Sequence, residues 1–219
     1  MTILKNISAS VQSGHTTQTG NLVSQALGEN IQPGKILREG LVAGMLEMEK
    51  KLHRDEIIDS EILIAERAMK AGLRILMPVI KEGQGSPIGT VVTGTLEGDI
   101  RGTEKNIILV IMQSLGLNVI DLGTCVSCVR FVEAAIEEKA KIIACTTMLT
   151  TFLPQMKSLV QAAGHAEIRG RTKILLCGWP VTEWFCKSIE ADMYAPDLVQ
   201  AAEIAAEHCR KTAPKQASA

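Results

Sequence analysis

Residues 89–107, GTVVTGTLEGDIRGTEKNI, constrain the fold of this chain more than any other stretch. Residues 90–93 are a β-branched run suited to a strand. Gly94, Gly98 and Gly102 punctuate the segment after it, and residues 107–115 carry enough apolar side chains for a buried helix face. A strand that feeds a glycine loop into a helix N-terminus makes a ligand-binding edge in α/β folds. Backbone N–H groups point outward there, and glycine lets a ligand come close to the chain.

The C-terminal half of the chain repeats this rhythm. Strands are predicted at 90–93, 119–122, 142–145, 174–177 and, more weakly, 193–194. Helices are predicted at 104–115, 129–139, 153–163, 183–189 and 198–211. Short apolar strands alternating with helices imply a parallel sheet covered on both faces. Its ligand edge is built from the loops 94–103, 123–128, 146–152 and 178–182. The tail after residue 213 is expected to fray.

Upstream, the period changes to that of helices. Leu4, Ile7 and Val11 mark a first helix; Leu22, Val23, Ala26 and Leu27 a second, ended by Gly28. Pro33 suits a first helical turn and opens a third stripe through Leu37, Leu41, Met45, Met48 and Leu52. The fourth, residues 55–81, repeats Ile58, Ile62, Ala65, Met69, Leu73 and Leu76 at helical spacing. Pro78 is expected to end or bend it near Met77. Four amphipathic helices with short connections make a bundle. The turn-rich segment 83–87 is the predicted boundary, giving domains 1–85 and 86–219.

Composition narrows the partners. The formal charge of −1 gives no reason to expect nucleic acid or an anionic membrane. With 46% hydrophobic but only 3% aromatic residues, the cores must be aliphatic. The first twenty residues lack an apolar signal core and no run is long enough to cross a bilayer, so a cytoplasmic location is expected. Four of the six cysteines lie in or beside apolar runs and are read as small hydrophobes.

The central loop resembles the cobalt-ligand loop of the cobalamin-binding family, in particular the corrinoid proteins that serve methyltransferases. That family's pattern is Asp-x-His-x-x-Gly, a 41-residue gap, Ser-x-Leu, a further gap in the high twenties and Gly-Gly. Here Asp99 is kept, Arg101 stands for His and Glu104 for Gly. A further 41 residues (105–145) lead to Thr146-Thr147-Met148, and 28 more to Cys177-Gly178. Leu149, Thr150, Thr151 and Pro154 are similar to the run after Ser-x-Leu. Gly178-Trp179-Pro180-Val181-Thr182 resembles Gly-Gly-Ala-Pro-Val-Thr, and Tyr194-Ala195-Pro196-Asp197 the family's last strand and loop. In the bundle, Glu39-Gly40-Leu41 and residues 68–72 look like the family's cap over cobalt.

The resemblance implies an α/β chain: a four-helix bundle cap, then a doubly wound, Rossmann-like (flavodoxin-like) five-stranded parallel domain. It implies a cobalamin or related corrinoid as cofactor. The implied binding residues are Gly98, Asp99, Arg101, Gly102, Thr103, Glu104, Thr146, Met148, Leu149, Thr150, Gly178, Trp179, Pro180, Tyr194 and Ala195. The implied role is methyl carrier, a subunit of a methyltransferase system rather than a complete enzyme. Its partners would be a substrate-specific methyltransferase and an acceptor methyltransferase, with room for a reductive activase.

The residues themselves limit this reading. A guanidinium has five donors and no lone pair to give a metal, so Arg101 cannot ligate cobalt as imidazole would. The expected corrinoid therefore lacks a protein His ligand and carries its own base, water or another ligand. A decayed loop with Arg101 as a solvated charge is the plain alternative. Glu104 on the first turn of a helix complements the helix dipole, with Thr103 as N-cap. This allows either a capped helix with its tail channel partly filled or an altered tail position. Thr146 keeps the hydroxyl that meets the lower base in the family, and is also ordinary turn chemistry. Trp179 either fills the tail channel, the cheaper assumption, or stacks on a ring. Cys125 and Cys128 open a helix, where a thiolate would be favoured, although a pair alone does not close a zinc site. Two further functions stay open: a non-catalytic relative that has lost corrinoid and acts as a partner or regulatory subunit, and a redox or metal protein using the cysteine pair.

Overall fold

A computed structural model of the chain describes residues 2–212, the side chain of His53 excepted, in two compact units, Met1–Gln84 and Gly85–Ala219. The tail expected to fray lies outside the described residues.

The first unit is helical. It comprises α1 (Ile3–Gln12), α2 (Thr16–Gly28), α3 (Pro33–Lys35), a π-helical segment (Ile36–Val42), α4 (Ala43–His53) and α5 (Asp59–Glu82). The third amphipathic stripe is thus one run of helix widened in its middle. Ile36, Leu37, Leu41 and Met45 are fully buried there together with Ile7, Val11 and Val23. Helix α5 lies close against α2 and the π-helical segment: a Cβ on Gly72 would sit 3.2 Å from the Val23 side chain and 2.6 Å from that of Leu41. One expectation fails in α5. Ile58 is not a core position but the residue before the helix, 66% exposed, with its N–H held by the Glu61 carboxylate at 3.0 Å. Of the two outcomes expected at Pro78, the helix does not end there but runs on to Glu82. Pro78 faces solvent, so the carbonyl it leaves unbonded can turn to water, while Ile80 keeps the last turn in the core.

The second unit is a five-stranded, wholly parallel sheet. Its elements are β1 (Thr90–Gly94), α6 (Thr103–Ser114), β2 (Asn118–Asp121), α7 (Cys128–Glu137), β3 (Ile142–Thr146), α8 (Leu153–His165), β4 (Lys173–Cys177), α9 (Glu183–Ser188), β5 (Met193–Ala195) and α10 (Leu198–Lys211). The strand order β2-β1-β3-β4-β5 is the flavodoxin-like one, whose direction switches between β1 and β3. Helix α6 packs with α10 on one face and α7 with α8 on the other. The inner strands β3 and β4 are buried almost throughout, as strands covered on both faces must be.

The sheet edge depends on how its helices begin. Ser127, Thr182 and Asp197 each accept the backbone N–H three residues on, capping α7, α9 and α10. Helix α6 differs from expectation: its N-cap is Gly102, and Thr103 is already inside the first turn. What holds α6 is Lys105, buried to 3% exposure, whose Nζ lies 2.7 Å from both carboxylate oxygens of Asp121 at the end of β2.

Candidate functional site

The switch between β1 and β3 places three loops side by side. Gly94 pairs with Cys145 and Thr146 with Cys177, so the loops after β1, β3 and β4 leave the sheet as neighbours. Gly98, Asp99, Arg101 and Gly102 come from the first, Met148, Leu149 and Thr150 from the second, and Gly178, Trp179 and Pro180 from the third. Tyr194 and Ala195 lie within β5 at the sheet margin, and Ala195 is fully buried. They belong to the same sheet but not to the cluster at the switch.

Asp99 is the pivot of the first loop. It is 5% exposed, and its Oδ1 accepts the Arg101 N–H at 3.0 Å. Burial pushes its carboxyl above the ordinary value, opposed by the Arg101 N–H, the Arg101 charge and a hydrogen bond with the Thr147 side chain. Thr147 thus ties the β3 loop to the β1 loop. It also ties it to the β4 loop, because its N–H donates to the Cys177 carbonyl at 3.3 Å. Gly178 sits so close that a Cβ would fall 1.9 Å from the Thr147 oxygen, and its φ of +127° suits glycine alone. Thr146, at the end of β3, is 2% exposed.

Three residues hold this geometry in roles that the sequence does not reveal. Thr95, 1% exposed, donates to the Asp99 carbonyl and accepts the Cys125 N–H at 3.0 Å. The Cys125 sulfur, read from sequence only as half of a cysteine pair, accepts the Gly98 N–H at 3.2 Å. Thr147 is the variable position of its motif. All three act across contacts remote in sequence, and no local pattern marks those contacts.

The structure corrects several side-chain expectations. Thr103 is no N-cap, while Glu104 does stand on the first turn of α6, buried at 8% exposure. Trp179 is 73% exposed, so it fills no channel. The cysteine pair does not open a helix together. Cys125 has φ +59°, Val126 forms a parallel bridge with Leu96, and Ser127 is extended at φ −69°, ψ 151°. Both cysteines are free thiols, Cys125 exposed and Cys128 half-buried. The Cys128 thiol is pushed up by burial rather than lowered by the helix. Among the described residues no group of three or more His, Cys, Asp or Glu could hold a metal ion.

Imidazole is remote from the cluster within this unit. His165 is the last residue of α8, and His208 lies in the last turn of α10 near Lys141 and Lys173, at the starts of β3 and β4. Both mark the opposite edge of the sheet.

Fold and site together define a ligand-binding α/β protein that presents hydroxyls, backbone amides and apolar side chains at its switch point. The comparisons with known proteins narrow that class. Residues 89–203 match the model of a B12 binding domain, and residues 3–77 match a second B12 binding domain model. The dimethylamine corrinoid protein of Methanosarcina barkeri is 34% identical over 82% of this chain and 84% of its own length. Trimethylamine corrinoid protein 1 of Methanosarcina mazei is 33% identical over 81% and 85%. The solved monomethylamine corrinoid protein of M. barkeri superposes with a TM-score of 0.78 at 25% identity, covering 94% of this chain and 97% of its own. This chain belongs to the B12-binding corrinoid protein family.

Proposed function

We propose that this chain is the corrinoid-binding methyl-carrier subunit of a corrinoid-dependent methyltransferase system, and that the cobalt it carries takes no ligand from the loop at 99–104. What supports the reading is the convergence of three loops on Thr147, which holds Asp99 and seats Gly178, next to the buried Thr146 at the end of β3. This donor set fits a corrinoid held by hydroxyls, amides and apolar contacts; it does not fit ligation by Arg101, which has no lone pair. Gly98, Asp99, Gly102, Thr146, Met148, Leu149, Thr150, Gly178 and Pro180 are the residues positioned to hold the ligand, with Arg101 at the exposed rim. When bound, the corrinoid supplies a cobalt able to take up and give back a methyl group; the protein supplies orientation and shielding.

This reading calls for a substrate-specific methyltransferase, an acceptor methyltransferase and, where cobalt becomes oxidised, a reductive activase. It places the protein in the cytoplasm; no helix among the described residues is long and apolar enough to cross a membrane. A second reading, a relative that has given up corrinoid and serves as a partner or regulatory subunit, is favoured by one observation: Glu104 is buried where the family has glycine.

Reconstitution separates them. The purified chain, incubated with hydroxocobalamin and passed over a sizing column, is expected to retain one corrinoid per chain. Protein made with nitrogen-15 histidine is then expected to give a cobalt(II) paramagnetic resonance spectrum identical to that of unlabelled protein. A spectrum that changes with the label overturns the absence of protein imidazole. Colourless protein after reconstitution overturns the carrier and favours the second reading.

A further inference from the structure

We infer that the Lys105–Asp121 ion pair is a positioning device for the corrinoid site, setting the shape of the loop 95–102 that receives the ligand; the inference rests on the carrier reading above. Lys105 stands in the first turn of α6, 3% exposed, and its Nζ lies 2.7 Å from each carboxylate oxygen of Asp121. Taking an ammonium out of water has a cost that its carboxylate partner does little more than offset. Such a pair adds little stability over an apolar contact of the same size. What it does supply is a fixed distance between two elements, here the start of α6 and the end of β2.

The loop is fastened to both. Gly102, its last residue and the N-cap of α6, is packed between the two sides: a Cβ there would sit 3.3 Å from the Thr124 methyl group and 3.7 Å from Lys105 Cε. From Asp121 a chain of hydrogen bonds runs to the rest of the loop. Asp121 Oδ1 accepts the Gly123 N–H at 2.9 Å, the Gly123 carbonyl accepts the Thr95 N–H at 3.1 Å, and the Thr95 hydroxyl donates to the Asp99 carbonyl. The pair therefore reaches Gly102 through Lys105 and Asp99 through Asp121. Thr147 holds Asp99 from the β3 side. Without the pair the loop keeps that hold but loses its reference to β2.

Lys173 supplies the control. It too pairs with an aspartate, Asp192, at 3.4 Å, but it opens β4 at the opposite edge of the sheet. A general loosening of the sheet unit would follow from the loss of either pair; a displaced ligand loop follows from the loss of one.

The experiment uses the full chain and measures three quantities: affinity for hydroxocobalamin, the urea midpoint, and amide hydrogen exchange of residues 95–102 without ligand. It compares the natural chain with Lys105→Met, Asp121→Ala, their double variant and Lys173→Met. Methionine fills the lysine's place without charge. The Asp121 carboxylate it leaves behind is 38% exposed and still bonded to the Gly123 N–H, so no buried charge is stranded. Lys105→Met is expected to keep a urea midpoint close to that of the natural chain. It should nevertheless bind hydroxocobalamin about tenfold more weakly and exchange its loop amides about tenfold faster. Asp121→Ala should weaken binding by about the same factor, and the double variant by no more than either alone, because both remove one interaction. Lys173→Met should leave affinity and loop exchange unchanged. Natural affinity or natural loop exchange in Lys105→Met overturns the inference and leaves the carrier reading intact. So does equal weakening by Lys173→Met, or an affinity that falls only in step with the urea midpoint across the variants. Losses that multiply to about a hundredfold in the double variant overturn it as well, since lysine and aspartate would then act separately. If the natural chain retains no corrinoid, the carrier reading falls and the inference falls with it.

Discussion

At Asp99 two demands meet in one carboxylate: it must lie buried to fix the loop, and burial opposes its charge. Its folded pKa is raised above the ordinary 3.8, desolvation outweighing the bonds from Arg101 and Thr147. Between the ordinary and the raised value, the folded form binds more protons than the unfolded one. Stability therefore falls as pH rises through that window, and the cost is fully present at neutral pH. Asp99→Asn keeps an oxygen to accept the Arg101 N–H and removes the charge. It is expected to raise the urea midpoint at neutral pH, with the gain disappearing as pH falls towards 3.8. A gain that did not vary with pH would show that desolvation of the charge is not its source. Gly178 bears the opposite sign. A Cβ there would meet a backbone oxygen at 1.9 Å in a conformation reserved for glycine, so Gly178→Ala should cost about 3 kcal/mol or more in urea unfolding. At this scale the sequence marks the residues that carry motif chemistry, such as Asp99, Arg101 and Gly178. It leaves Thr95 and Thr147 unmarked and marks Cys125 only as half of a cysteine pair, because their roles arise from bonds between loops. It also misleads about Trp179, whose exposure is decided by packing rather than by residue type.

Among the elements, those with a strong period are the ones that sequence locates. All five strands fall within one residue or so of the predicted runs, because short β-branched and aliphatic segments bounded by polar residues have few other fates in an alternating chain. The exceptions are local. The π-helical turn at Ile36–Val42 inserts no residue type that announces it, and the periodicity on either side remains apolar. Pro78 is read locally as a stop or a bend, and burial of Leu76 and Ile80 on either side accompanies a helix that runs on through it. That continuation has a cost, since Pro78 removes one helical hydrogen bond. Pro78→Ala should therefore stabilise the helical unit by about 1–2 kcal/mol in thermal unfolding, less than the full penalty because the proline also restricts the unfolded chain. In the sheet unit, the corresponding single point is Asp121. Removing it leaves the Lys105 ammonium buried without its carboxylate. Asp121→Ala should cost about 2 kcal/mol, moderated by the partial exposure of Asp121, and Asp121→Asn less. Equal stability of Asp121→Ala and the natural chain would mean that Lys105 finds water instead.

On the scale of the whole molecule, each unit has buried aliphatic side chains of its own. Ile7, Val23, Leu41 and Leu76 are buried residues of the helical unit, and Val92, Ile143, Ile174 and Leu176 form one cluster in the sheet unit. Both cores are aliphatic, as a chain with 3% aromatic residues demands. Between them, α5 ends at Glu82 and β1 begins at Thr90, leaving a segment of Gly83, Gln84, Gly85, Ser86, Pro87, Ile88 and Gly89. Backbone of this composition, without helix or strand hydrogen bonds over most of its length, is where a protease can fit an extended chain into its active site. The segment contains no Lys or Arg, so trypsin is a poor probe and a broad-specificity protease such as subtilisin is required. Brief digestion is expected to cut first between residues 83 and 89 and to release two fragments. The sheet fragment should keep its far-ultraviolet dichroism and unfold cooperatively, because its core draws on residues of that unit. First cuts inside 100–180 would contradict independent cores. So would a sheet fragment that loses its dichroism on release, for its folding would then depend on the helical unit.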